Sequence, residues 1–185
     1  MRIQIIVGSV RQNSQGSKVG AWIANTAGKQ EGIEAELLDL HDWDLPLYNE
    51  AMPPLALAGK YDSEIGTAWT QKIADGDAYI LVTPEYNHGY SAAIKNAIDW
   101  IGTEWAGKPV VIVGYSMSPN GGVLGVEQLK PILTQVKLMQ VSHNVLVRAV
   151  HEAFDEAGLP KDDSLTTSLE SALASLVGLQ KKLGS

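Results

Sequence analysis

Three short stretches carry side chains suited to holding an anion or a flat polar ligand. The first, GSVRQNSQGS at residues 8–17, follows an apolar run and precedes a helical pattern. It offers the hydroxyls of Ser9, Ser14 and Ser17, the guanidinium of Arg11 and, around Gly16 and Ser17, the start of a helix. Hydroxyls, backbone amides and a helix dipole together favour a phosphate. A guanidinium adds bidentate, charge-assisted hydrogen bonds. The same residues would equally make a plain surface turn with Ser17 as the helix cap. Two familiar nucleotide fingerprints are excluded. G-x-G-x-x-G needs glycines where Val10 and Asn13 stand, and a P-loop needs glycine and lysine where Asn13 and Ser14 stand.

The second stretch is TPEYNHGYS, residues 83–91. Pro84 ends an apolar run, and Tyr86, His88 and Tyr90 supply three rings. A polar loop with rings suits a flat ligand, whose face stacks while backbone amides bond its rim. The third, YSMSPNGG at residues 115–122, ends in Gly121 and Gly122, which let backbone approach a ligand closely or simply make a turn. Other chemistries lack support. HEAFD at 151–155 fails the H-E-x-x-H zinc pattern at its last position, and His41, His88 and His143 are scattered. No G-x-S-x-G elbow supports a serine triad. The absence of cysteine excludes disulfides, thiolate metal sites and cysteine nucleophiles.

For these loops to meet, a scaffold must bring them to one edge. The apolar runs at 3–7, 33–38, 78–83, 109–113 and 145–147 read as buried strands. Helical patterns lie between and after them, at 18–29, 63–74, 92–101, 123–136 (with Pro131 as a kink or break) and 165–183. Strands alternating with helices predict right-handed βαβ units and a parallel sheet covered on both faces. Five such strands suit a flavodoxin-like doubly wound α/β fold with strand order 2-1-3-4-5, a single domain over residues 1–185. In that fold the ligand sits at the carboxyl ends of the strands, where the three loops fall. Trp22, Trp69 and Trp100 read as packing residues, and DLHDWD at 39–44 as a solvated acidic turn.

The chain has 185 residues, 45% hydrophobic and 19% charged, with a net charge of −7. That is ordinary globular composition and lacks the basic footprint of a nucleic-acid binder. No run approaches the ~18 apolar residues of a membrane span, and only Arg2 could serve as the basic start of a secretory leader. These features predict a soluble protein of the cytoplasm.

GSVRQNSQGSKV, TPEYNHGYSAAIKNAIDW and GYSMSPNGGVLGVEQLK resemble the three ligand loops of the NADPH-dependent FMN reductase family. That family includes flavin, quinone, azo-dye and chromate reductases, and the resemblance spans about residues 2–150. It implies that Ser9, Arg11 and Ser14 match the phosphate loop of FMN, with Gly16 and Ser17 at its end. Pro84, Glu85, Tyr86 and Asn87 then match the loop lining the isoalloxazine ring, largely through backbone amides, with His88 beside it. Tyr115, Ser116 and Gly122 match the loop on the ring's pyrimidine side. Ser91 and Ala92 depart from the proline and glycine that many members carry. The implied reaction is ping-pong hydride transfer from NADPH or NADH to bound FMN, then to a small-molecule acceptor. It needs no catalytic acid or base on the protein. A flavodoxin-like electron carrier, or a flavin-binding scaffold without pyridine-nucleotide activity, is the alternative. The resemblance further implies a homodimer, or a tetramer of paired homodimers. The apolar, proline-rich segment 45–62 offers the surface for it.

Overall fold

The computed structural model describes residues 1–183. Its elements are β1 (Arg2–Val7), α1 (Gly16–Ala27), β2 (Glu34–Asp39), α2 (Pro54–Leu57), α3 (Glu64–Ala74) and β3 (Ala78–Pro84). They continue as α4 (Ala92–Asp99), β4 (Pro109–Tyr115), α5 (Val123–Gln135), β5 (Met139–Gln140), β6 (Val145–Val147) and α6 (Asp163–Leu183). All strand pairs are parallel, and the order is β2-β1-β3-β4, followed by a divided fifth position. This is the doubly wound order expected. The fifth place is shared: β5 pairs with Pro109 and Val110, and β6 with Val113, Gly114 and Tyr115. The sequence pointed only to residues 145–147. MQ at 139–140 is too short, with Met139 exposed, for an apolar run to announce it.

The period-2 alternation of the central strands sorts the core into two layers. Ile3, Ile5 and Val7 of β1, with Ile80, Val82, Val111 and Val113, face α1 and α6. Ile6, Leu81, Val110 and Ile112 face α3, α4 and α5. Strands β3 and β4 are buried at every position, as strands covered on both faces must be. Leu169, Leu173 and Leu176 of α6 are fully buried at helical spacing, each contributing about 1.5–3 kcal/mol of transfer free energy. Pro131 lies inside α5 without dividing it.

The long connection 41–62 is irregular apart from α2, and α4 holds it down. The Asn96 side chain accepts a hydrogen bond from the Tyr48 amide at 3.0 Å and donates to the Pro46 carbonyl at 2.8 Å. Trp100 Nε1 donates to the same Pro46 carbonyl at 2.9 Å. The rings of Tyr48 and Tyr61 meet Trp100 edge-on at 4.9 and 5.4 Å. The KNAIDW motif therefore fastens a loop. Its tryptophan also dictates Gly66, where any Cβ would lie 2.3 Å from the Trp100 ring.

Candidate flavin site

The carboxyl ends of β1, β3 and β4 bring the three loops together, and Ser91 ties two of them. As N-cap of α4 its hydroxyl accepts from the Ile94 amide, and it also donates to the Gly8 carbonyl. The residue that departs from the family's proline thus joins the ring loop's helix to the first loop.

In the first loop, the Gly8 amide donates to the Val82 carbonyl at 2.8 Å, which locks the start of the loop to β3. Ser9 is buried, and its Oγ lies 2.8 Å from the Tyr86 hydroxyl. Ser14 Oγ accepts from the Gly16 amide at 3.0 Å and meets the Tyr115 hydroxyl at 3.3 Å. Arg11 is exposed, its guanidinium carbon 5.9 Å from the centre of the Tyr86 ring, within cation–π range. The backbone amides of Ser9, Val10, Arg11, Ser17 and Lys18 donate to no protein acceptor among the described residues. Free amides around a helix start, in a loop that also carries a cation, suit an anion and make this loop a candidate cradle. Gly16 fits it tightly, since a Cβ there would lie 2.6 Å from the Tyr115 hydroxyl.

Ser17 does not cap α1. Gln15 occupies the N-cap position in a helical conformation with no side-chain cap bond. Ser17 lies one residue inside the helix, and its hydroxyl donates to Asp39 Oδ2 at 2.7 Å. Asp39 also accepts from the His41 amide at 3.0 Å. The stretch expected to be a solvated acidic turn thus sets a carboxylate against the first loop. Its position at the carboxyl end of β2, on the ligand edge, was the available signal. Trp43 turns inward, edge-on to Trp69 at 4.8 Å.

The second loop is a tight hairpin. Tyr86 and Gly89 exchange amide–carbonyl bonds, both 2.9 Å. Between them Asn87 (φ 50°) and His88 (φ 64°) are both left-handed. Positive φ at both central positions is a type I′ turn, natural for asparagine and strained for histidine. The Asn87 and His88 amides donate to no acceptor among the described residues, so they remain available to a ligand's polar rim. The His88 side chain is exposed, and its carbonyl accepts from Gln128 Nε2 at 2.7 Å. Glu85 is tied to the two ends of the third loop. Its carboxylate accepts from the Leu124 and Gly125 amides at 2.9 and 3.3 Å, closing the start of α5, and its own amide donates to the Tyr115 carbonyl. The buried Pro84 pairs with Tyr115 in the sheet and has no amide to offer.

In the third loop, Ser116 bonds within the turn, to the Ser118 carbonyl and hydroxyl at 3.2 and 2.9 Å. Gly122 has φ 84°, and a Cβ there would lie 2.9 Å from the Tyr115 amide nitrogen, so only glycine fits. Tyr115 itself is buried and directs its hydroxyl to the first loop. Burial pushes its phenol up to about 12, against weaker opposing bonds from Ser14 and Ser9, so it stays a neutral donor. The structure thus gathers Ser9, Arg11, Ser14, Gly16, Tyr86 and Tyr115 around one cradle. Ser17, Glu85 and Ser116 have other partners.

A profile of NADPH-dependent FMN reductases matches residues 1–152. The chain belongs to the NADPH-dependent FMN reductase family. Among relatives of this reductase, an NAD(P)H-dependent FMN reductase of Schizosaccharomyces pombe is 36% identical, over 74% of this chain and 68% of that protein. A 2-hydroxy-1,4-benzoquinone reductase of a Burkholderia species is 29% identical, over 75% of this chain and 76% of that one. In structure, the flavoenzyme NAD(P)H:acceptor oxidoreductase of Paracoccus denitrificans superposes with a TM-score of 0.79 at 30% identity, covering 98% of this chain and 97% of that one. The protein is accordingly an NAD(P)H-dependent oxidoreductase that works with FMN. Its residues fit that cofactor: the cradle has free amides and a cation for a phosphate, and the hairpin has free amides for a ring edge.

Proposed function

We propose that the reductase holds FMN with its 5′-phosphate on residues 8–18 and its ring between the second and third loops, and that it reduces quinone- or azo-type acceptors. The observation that carries this reading is the set of free amides in the first loop and at the start of α1, with Arg11 in the same loop beside the Tyr86 ring. FMN held there would supply the hydride-transfer chemistry between NAD(P)H and the acceptor. The protein's part is to bind, orient and shield. Arg11 pairs with the phosphate dianion, and the hydroxyls of Ser9, Ser14 and Tyr115 complete its shell. The amides of Asn87 and His88 hold the ring's polar edge, where donors favour developing negative charge. No side chain of the site is needed as a proton donor to the ring. Names of relatives that reduce a benzoquinone and azo compounds support the acceptor class.

A single domain carries the site, and we place the protein in the cytoplasm as a homodimer, with pairing of dimers into a tetramer as a further step. No helix among the described residues is long and apolar enough to cross a membrane. Leu47 (77% exposed), Met52 (53%) and Leu55 (71%) support the segment 45–62 as the self-association face. Anaerobic addition of NADPH to the FMN-loaded protein tests the activity: rapid bleaching of the flavin is expected. A flavin that stays yellow would return the protein to the class of electron carriers.

A further inference from the structure

A cleft of about 600 Å³ opens beside the third loop, on its β6 side. Its walls include Leu146 and Arg148 at the end of β6, and Lys161, Ser164, Leu165 and Ser168 at the approach to α6 and in its first turns. The size suits a nucleotide-sized ligand. The third loop packs directly behind three of the lining residues, Leu146, Arg148 and Ala149. A Cβ at Gly121 would lie 2.9 Å from Leu146 Cβ and 3.1 Å from Arg148 Cγ, and the Ser118 carbonyl accepts from the Ala149 amide at 3.1 Å.

The charges in the cleft are unequally engaged. The side chains of Arg148 and Lys161 are exposed and have no hydrogen-bond or ion-pair partner among the described residues. The two acids lining the cleft do have partners. Asp162 accepts from the Ser164 amide at 2.9 Å, and Glu152 lies 3.2 Å from His151 Nε2. Leu146 and Leu165 add an apolar surface. A matching ligand therefore has a flat apolar part and a separate anion for the two cations.

We propose that this cleft takes the adenosine half of the pyridine nucleotide, with Arg148 and Lys161 gripping the 2′-phosphate that distinguishes NADPH from NADH. The proposal rests on the flavin reading above, which sets the ring on the third loop, and that loop packs against Leu146 and Arg148 of the cleft. Adenine meets Leu146 and Leu165, and the 2′-phosphate sits on the cations, while Asp162 and Glu152 keep their own partners.

Calorimetric titration of the flavin-free protein with adenosine 2′,5′-bisphosphate and with 5′-AMP tests it directly. The wild type should bind the bisphosphate about tenfold more tightly or better. Arg148→Ala and Lys161→Ala should each remove most of that preference and leave 5′-AMP binding unchanged. In the FMN-loaded enzyme the same variants should lower the ratio of kcat/KM for NADPH to that for NADH by about tenfold, through NADPH alone. Equal binding of the two adenosine phosphates by the wild type, or a preference unchanged in both variants, overturns the proposal. If the loaded wild type oxidises neither nucleotide, the flavin reading fails instead, and the flavin-free titration still decides the cleft. Both side chains are exposed, and an unchanged thermal melt confirms that the variants fold.

Discussion

The hydroxyl of Tyr115 reaches from the end of β4 to within 3.3 Å of Ser14 Oγ. This joins the third ligand loop to the first across the intervening strand β3. The contact sets the Tyr115 hydroxyl in the first loop, whereas the resemblance assigns the residue to the ring's border. Tyr115→Phe keeps the buried ring and removes one donor. FMN binding should weaken by about 1 kcal/mol, close to fivefold, with riboflavin binding unchanged. Titration of both flavins at one salt concentration checks it.

Arg11 lies in the first loop, with its guanidinium 5.9 Å from the centre of the Tyr86 ring. Arg11→Ala should cost FMN about 1.5–3 kcal/mol while leaving riboflavin nearly unaffected. Equal affinity of the wild type for both flavins would show that the loop is only a turn.

Tyr86 is not a free ring over the flavin face. Its hydroxyl meets Ser9 and its ring lies beneath Arg11. Tyr86→Ala should therefore weaken FMN retention as well as turnover, by about 1 kcal/mol from the lost cation–π contact. Tyr86→Phe should keep most of that retention. Comparison of the FMN dissociation constants of the two variants decides between the hydroxyl and the ring.

Alkaline pH should destabilise the fold from the inside. Burial raises the phenols of Tyr115, to about 12, and of Tyr79, well above the ordinary tyrosine value. A raised folded-state pKa means that the native state holds its proton more tightly than the unfolded chain. The stability this gives is fully present below about pH 10 and is lost as pH rises through about 12. Urea midpoints should fall across that window, and Tyr115→Phe should flatten part of the decline.

Ser91→Ala removes both the α4 cap and the bond to the Gly8 carbonyl. Stability should fall by about 1–2 kcal/mol, read from urea unfolding. FMN affinity should fall with it, because the first loop loses its tie to the second.

The sheet was legible in the sequence because buried parallel strands are written as continuous apolar runs, such as AYILVT at 78–83. The place of the first loop was legible too: hydroxyls and an arginine gather between strand and helix. What could not be read were choices between acceptors. Ser17 looked like a cap, but its hydroxyl bonds to Asp39, a residue 22 positions away that only the fold brings near. Glu85 lies in the most specific motif, yet closes the start of α5, a partner invisible at a sequence separation of about 40. Both cases are long-range bonds that local spacing does not encode.

Helix α4 is only eight residues, about 12 Å long. At one end Ser91 grips the carbonyl of Gly8; just past the other, Trp100 grips that of Pro46. The helix is thus a strut between the first loop and the segment that exposes Leu47, Met52 and Leu55. One short hydrogen-bonded rod sets the spacing of the two, as a tie-bar sets the spacing of two walls.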